Sequence, residues 1–218
     1  MKNHKAFLMQ SGYIKIGGKN GKNRIANLKE YIEKNYPKAA LLELREIEMQ
    51  NFLQRDFEER SNNCTITSLT RIIKYYFKDL DKFEIYAEIF EIAKKNGYFK
   101  NIGTLPFFIS HIANTYFRKN KMKLKSRGIY IGNFYSHVKN QIDNLNPVLM
   151  NLGSGYYKRH SLVIFGYSIY KFKKIKIKIL HVYDGWHKTP SYIDYSDLKG
   201  LKNFPIFSYN IFNIDLSS

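Results

Sequence analysis

The spacing of apolar residues changes along this chain, from a helical period to strand-like segments after Pro147. Apolar residues recur every three to four positions in six stretches that we predict to be helical: 26–35, 38–50, 64–77, 82–95, 105–118 and 133–144. Short apolar or alternating stretches predict strands at 148–152, 161–170, 172–182 and 205–216. Helices followed by strands predict an α+β domain with a mainly antiparallel sheet.

The length of 218 residues suits one substantial core, and a hydrophobic content of 44% argues against a disordered chain. Residues 11–24 are rich in glycine, lysine and asparagine, which predicts a turn-rich or hairpin segment. We therefore predict an N-terminal extension over 1–53, made of this segment plus helices and packed on the core, followed by one domain over 54–218.

The formal net charge is +18. This charge would favour anionic partners such as nucleic acid, acidic peptide or an anionic membrane surface, although lysine is spread along the whole chain. No apolar run is long enough to span a membrane, and the N-terminus does not resemble a signal peptide. The sequence thus predicts a cytoplasmic protein, with a mature secreted form left open and the oligomeric state not indicated.

The single cysteine, Cys64, lies where a helix is predicted to begin. Unpaired backbone N–H groups and the positive end of the helix dipole favour a thiolate there, which is the nucleophilic form of cysteine. His160 follows at the head of an apolar strand, and Asp184 ends the next strand-like run. Cysteine, histidine and acid in this order form a nucleophile, base and orienting group.

Each of the three residues also has an ordinary structural explanation. A lone cysteine is most often a small buried hydrophobe, and Asp184-Gly185 is a common turn dipeptide. Their joint occurrence in the right order favours catalysis. His187, on the same turn as Asp184, is a weaker candidate for a residue on the substrate side. No histidine or cysteine pattern indicates a metal, so we predict neither metal nor cofactor.

Two sequence blocks carry a resemblance to a known family. One runs from His160 to Tyr167 (HSLVIFGY) and the other from Val182 to Trp186 (VYDGW), downstream of Asn63–Leu69 (NCTITSL) and Gln54. Together these segments resemble papain-like cysteine peptidases, and within them the bacterial C39-like branch that is related to bacteriocin-processing peptidases. The resemblance covers roughly residues 54–200.

The resemblance implies a papain-like fold in which the helical half carries the nucleophile and packs on the sheet. It implies Cys64 as nucleophile, His160 as general base and acid, and Asp184 as the group that orients the imidazole. It implies that Gln54 donates to the oxyanion, with Asn62 and Asn63 as alternatives. It implies four residues that contact substrate: Gly153, Ser154, Gly155 and Trp186.

These features predict a cysteine peptidase that hydrolyses peptide bonds of a peptide or protein substrate through a thioester acyl-enzyme. Two alternatives stay open. A Cys-dependent acyltransferase or transglutaminase-like enzyme uses the same three residue types in the same order. A non-catalytic basic domain that binds peptide or nucleic acid would depend on the net charge and not on Cys64.

Overall fold

The computed structural model describes residues 24–57, 62–130, 133–153, 156–199 and 206–214. Helices occupy five segments of these ranges: α1 Leu28–Asn35, α2 Cys64–Tyr76, α3 Lys82–Lys95, α4 Ile109–Lys119 and α5 Phe134–Asp143. Strands occupy nine: β1 Ala40–Glu46, β2 Tyr98–Phe99, β3 Gly103–Thr104, β4 Leu124–Ile129, β5 Val148–Leu152, β6 His160–Phe172, β7 Ile175–Tyr183, β8 Ser191–Asp194 and β9 Ile206–Ile214. None of the described helices is both long and apolar enough to cross a membrane.

Seven strands form one sheet in the order β4-β9-β5-β6-β7-β8, with β1 added to β6. All of the described pairings in this sheet are antiparallel. Strand β6 is 13 residues long, and one of its edges pairs first with β5 and then with β1. This architecture confirms the predicted α+β class and the mainly antiparallel sheet.

Both faces of the central strands are covered by helices. Leu149 and Val163 face the cluster built by α2, α3 and α4, whereas Leu162 and Ile164 face the cluster that includes α5. Strand β6 is therefore buried on both sides, which explains why its sequence is apolar almost throughout. The start of β6 and the start of α2 meet at one end of the sheet, where Thr65 Oγ1 lies 2.8 Å from Ser161 Oγ.

The helix predicted over 38–50 is wrong. Residues 40–46 form the strand β1, which pairs with the second half of β6. The spacing of Leu41, Leu44 and Ile47 fits a helix, and the segment is rich in helix-forming residues. Pairing with the β6 edge overrides that local preference, and it leaves Leu41 and Leu44 more than half exposed. The sequence did not predict the strands β4 and β8 or the β2–β3 hairpin. Residues 11–23 of the predicted turn-rich segment lie outside the described residues.

Gly166 in β6 lies between Glu46 in β1 and His181 in β7. A Cβ at this position would lie 2.6 Å from the carbonyl oxygen of Arg45 and 2.8 Å from Glu46 Cγ. The missing side chain lets Glu46 reach across β6, where its Oε1 lies 2.6 Å from His181 Nδ1. This hydrogen bond lowers the pKa of Glu46. The glycine therefore joins three strands at a partly buried polar contact.

Candidate active site

Cys64 is the first residue of α2, and its side chain is half-buried. Burial of the thiol raises its pKa, but the hydrogen bond and the charge of His160 outweigh burial and, with hydrogen bonds from Ser161, lower the pKa from 9.0 to about 7. The structure therefore brings the predicted nucleophile and the predicted base together. Near neutral pH a substantial fraction of such a thiol is thiolate, the reactive form.

His160 opens β6 opposite Leu152 of β5, and its side chain is buried. Its Nε2 lies 2.7 Å from the main-chain carbonyl oxygen of Asp184. A carbonyl oxygen can only accept a hydrogen bond, so Nε2 must carry the proton. The other ring nitrogen, Nδ1, is then the one that faces the thiol of Cys64.

The carboxylate of Asp184 does not contact His160; it is held by five other donors. Its Oδ1 accepts from the backbone N–H groups of Trp186 at 2.9 Å and His187 at 3.0 Å. Its Oδ2 accepts from the side chains of Tyr157 at 3.1 Å, His187 at 2.8 Å and Ser191 at 2.8 Å. Burial raises the pKa of Asp184, but His187 and the other donors lower it well below its ordinary value. The carboxylate thus fixes the 184–187 turn, and the turn presents its carbonyl to His160.

Aromatic rings enclose the imidazole of His160. The ring of Trp186 is centred 3.9 Å from the His160 ring, and the Tyr157 ring is stacked at 5.7 Å. Trp186 and Tyr157 also stack on each other at 5.6 Å. This packing covers the hydrogen bond between His160 and the Asp184 carbonyl and excludes water from it, which strengthens the bond.

Gln54 lies beside the turn that carries Asp184. Its backbone N–H donates to the carbonyl oxygen of Gly185 at 2.9 Å, and its side-chain amide lies against the same glycine. The side-chain Nε2 is buried and has no acceptor among the described residues. Gln54 therefore holds an unpaired amide donor beside the turn of Asp184.

The two alternative donors are engaged elsewhere. The Nδ2 of Asn63 donates to the Gln54 carbonyl oxygen at 3.2 Å and to Tyr86 Oη at 2.9 Å. The Nδ2 of Asn62 donates to the Lys100 carbonyl oxygen at 2.9 Å, where it holds the β2–β3 hairpin to the start of α2. These contacts make both asparagines structural supports of the segment before Cys64.

The remaining predicted contact residues lie at the same end of the sheet or outside the described ranges. Gly153 directly follows β5, whose last residue pairs with His160. Ser154 and Gly155 are outside the described residues.

Three partners of Asp184 were not predicted in that role: Tyr157, His187 and Ser191. Of the three, the sequence indicates only His187, which is near Asp184 in the chain; Tyr157 and Ser191 belong to no motif. No three His, Cys, Asp or Glu side chains come together as a metal site within the described ranges.

An α+β fold of this type, with a thiol at a helix start and an imidazole on the facing strand, defines a papain-like protein. A family model described as Peptidase_C39 like family matches residues 46–213. The chain belongs to this family, whose name denotes cysteine peptidases. A comparison with curated proteins finds no match.

Proposed function

We propose that this protein is a cysteine peptidase that hydrolyses peptide bonds through a Cys64 thioester. The observation that carries the proposal is the contact between the half-buried Cys64 and the buried His160. Against the raising effect of burial, the imidazole and Ser161 lower the pKa of the thiol to about 7. Membership of the Peptidase_C39 like family agrees with it. A structural cysteine in apolar surroundings would have a raised pKa instead.

In the first step the Cys64 thiolate attacks the carbonyl carbon of the scissile peptide bond. The oxyanion that forms accepts hydrogen bonds from the Cys64 backbone N–H and from Gln54 Nε2. When this intermediate collapses, the C–N bond breaks and the His160 imidazolium gives its Nδ1 proton to the leaving amine. The product is a thioester between Cys64 and the N-terminal part of the substrate.

In the second step His160 acts as a base. It takes a proton from water, and the resulting hydroxide equivalent attacks the thioester carbonyl. The C–S bond then breaks, which releases a carboxylic acid and restores the thiolate paired with imidazolium. Throughout the cycle Nε2–H of His160 stays bonded to the Asp184 carbonyl, so the ring keeps its orientation.

Gln54 is proposed as the side-chain oxyanion donor. Its buried Nε2 without a protein acceptor supports this role, since such a group is costly unless it serves a ligand. The occupied amides of Asn62 and Asn63 make those residues weaker candidates.

Asp184 is proposed to orient His160 through its main-chain carbonyl rather than through its carboxylate. The carboxylate would act indirectly, by fixing the turn and by placing the Trp186 ring against the imidazole. This arrangement differs from the side-chain contact that the order of the three residues suggests, and it predicts a distinct response to substitution.

The test is cleavage of a complex peptide mixture in H₂¹⁸O, with mass spectrometry of the products. We expect new C-termini carrying one ¹⁸O with wild-type protein and none with Cys64→Ala. Addition of a primary amine tests the acyltransferase alternative, because an acyltransferase would join the amine to the acyl group and leave little ¹⁸O product. Absence of both product types, together with peptide binding that Cys64→Ala does not change, would refute an enzymatic role.

A further inference from the structure

The far end of the sheet carries a second surface, which we call the basic tip: residues 38–42 before and within β1, and the hairpin 171–176 that joins β6 to β7. We propose that the basic tip binds the surface of a membrane rich in anionic lipids. The proposal does not rest on the peptidase activity, because it uses no residue of the candidate active site.

The charge of the hairpin is of one sign. Four exposed lysines lie within six residues, and no acidic residue occurs from position 171 to 178: Lys171, Lys173, Lys174 and Lys176. None of the four forms an ion pair with a carboxylate of the described residues. Polybasic segments of this kind gain about 1 kcal/mol per lysine near an anionic membrane surface.

The strand register keeps two of these lysines face to face. Lys171 lies directly opposite Lys176 in the β6–β7 ladder. Like charges at directly opposite positions destabilise a hairpin, and one opposite charge would relieve the repulsion. An anionic surface that meets the end of the hairpin supplies that charge from outside the protein.

The backbone conformation of the hairpin turn is also unfavourable for the residue that adopts it. Phe172 pairs with Ile175, so Lys173 and Lys174 form a two-residue turn, and Lys173 has a φ of 53°. Asparagine or glycine would adopt this left-handed conformation at lower cost. A lysine in this place adds local strain but extends positive charge to the outermost point of the sheet.

Exposed aliphatic side chains accompany the lysines. Ile175 is 55% exposed at the tip, and Leu41 is 51% exposed in β1. Leu41 lies opposite Tyr170 and Ile175 lies opposite Phe172, so both project from one face of the sheet, whereas Lys171 and Lys176 project from the other. A membrane that meets the end of the hairpin contacts both groups. Lysines with aliphatic residues suit a lipid interface, since the long lysine stems reach the headgroups while the aliphatic groups enter the acyl boundary.

The composition favours lipid over nucleic acid. The basic tip contains lysine but no arginine, whereas nucleic-acid sites gain from the bidentate arginine fork on phosphates and bases. Its exposed apolar groups are aliphatic, and aliphatic groups do not stack on bases as aromatic rings do.

The position of the tip leaves the candidate active site open. Strand β6 is 13 residues long and runs from His160 to Phe172. At about 3.3 Å per residue the two ends are about 40 Å apart. A protein held at a membrane by the tip would keep Cys64 accessible to a substrate.

The experiment is sedimentation of the whole protein with large vesicles of phosphatidylcholine, with and without 30 mol% phosphatidylserine. We expect binding to the anionic vesicles only, and loss of binding as salt rises. Replacing Lys171, Lys173, Lys174 and Lys176 by glutamine should lower the partition coefficient by roughly 100- to 1,000-fold. A matched control replaces four exposed lysines outside the basic tip by glutamine: Lys95, Lys121, Lys123 and Lys125. This control has the same net charge and should bind within about threefold of wild type.

Thermal unfolding of the tip variant separates loss of binding from loss of fold. We expect its Tm to equal or exceed that of wild type, because the facing pair Lys171 and Lys176 is removed. Equal losses in the tip and control variants would overturn the proposal, since binding would then follow net charge alone. The proposal would also be overturned if the protein bound an oligonucleotide tightly, if the tip variant weakened that binding, and if anionic vesicles were not bound. Ile175→Ser should lower the partition coefficient at low salt, where wild type binds, and an unchanged value would refute the apolar contribution.

Discussion

Substitution of His160 by alanine tests the central contact of the candidate active site. The hydrogen bond and the charge of His160 hold the pKa of the Cys64 thiol at about 7, against the raising effect of burial. Without His160, only the hydrogen bonds from Ser161 lower this pKa, so we expect a return to 9.0 or above. At pH 7 the thiolate fraction then falls from about one half to about 1%, a decrease of about 50-fold.

The assay is the rate of alkylation by iodoacetamide, measured from pH 4 to 10 with mass detection of the Cys64 adduct. Alkylation of the wild type should rise through pH 7, since thiolate forms as the proton leaves. His160→Ala should shift the midpoint upward and slow the reaction at pH 7 by about 50-fold. His111→Ala is the matched control, because His111 is exposed on α4 and bonds to Asn96. A wild-type midpoint near 9, or the same midpoint in His160→Ala, would refute the reasoning.

Three further substitutions test other contacts. Gln54→Ala should lower kcat for a peptide found in the ¹⁸O assay by about 100-fold or more, while Asn62→Ala stays within about threefold; equal losses would remove Gln54 as the oxyanion donor. Asp184→Asn should keep the Cys64 alkylation midpoint near pH 7, because the contact to the imidazole is a main-chain carbonyl; a midpoint near 9 would assign that role to the carboxylate. Gly166→Ala should lower the free energy of unfolding in urea by about 1–3 kcal/mol, because its Cβ would meet the Arg45 carbonyl oxygen at 2.6 Å; a change below about 0.5 kcal/mol would contradict this packing.

The response of the fold to pH follows from Asp184. Its pKa is lowered in the folded protein, mainly by His187 acting against the effect of burial. A depressed carboxylate pKa contributes stability above the unfolded value and loses it as pH falls through the folded value. Unfolding by acid should therefore occur at higher pH in His187→Ala than in wild type, measured by circular dichroism during an acid titration. An unchanged midpoint of acid unfolding would show that the backbone N–H donors are enough to keep the pKa of Asp184 low.

Much of the candidate site could be predicted from local sequence. Cys64 opens a helix because a polar segment precedes an apolar helical repeat, and the structure begins α2 at that residue. His160 opens β6 because a continuous apolar run follows it. These boundaries depend on local periodicity, and the order of the three residues then suggests which groups meet.

The partners of each group could not be predicted in the same way. The Asp184 carboxylate could have faced His160, and only the backbone path of the 184–187 turn directs it to His187 and Ser191 while its carbonyl faces the imidazole. Similarly, an amide is a possible oxyanion donor wherever Asn or Gln occurs. The contacts of Asn62 and Asn63 make those residues weaker candidates for the role, and such contacts join segments distant in sequence.

The sequence by itself determined the five described helices, the buried central strands and the positions of the thiol and the imidazole, because apolar periodicity is a local property of the chain. Tertiary structure decided that residues 40–46 form a strand, since the edge of β6 supplies hydrogen bonds that no local helix preference can anticipate. It also decided that the Asp184 carbonyl, and not its carboxylate, contacts His160. Such choices depend on which donors and acceptors meet when distant segments pack, and that information does not lie in any one segment.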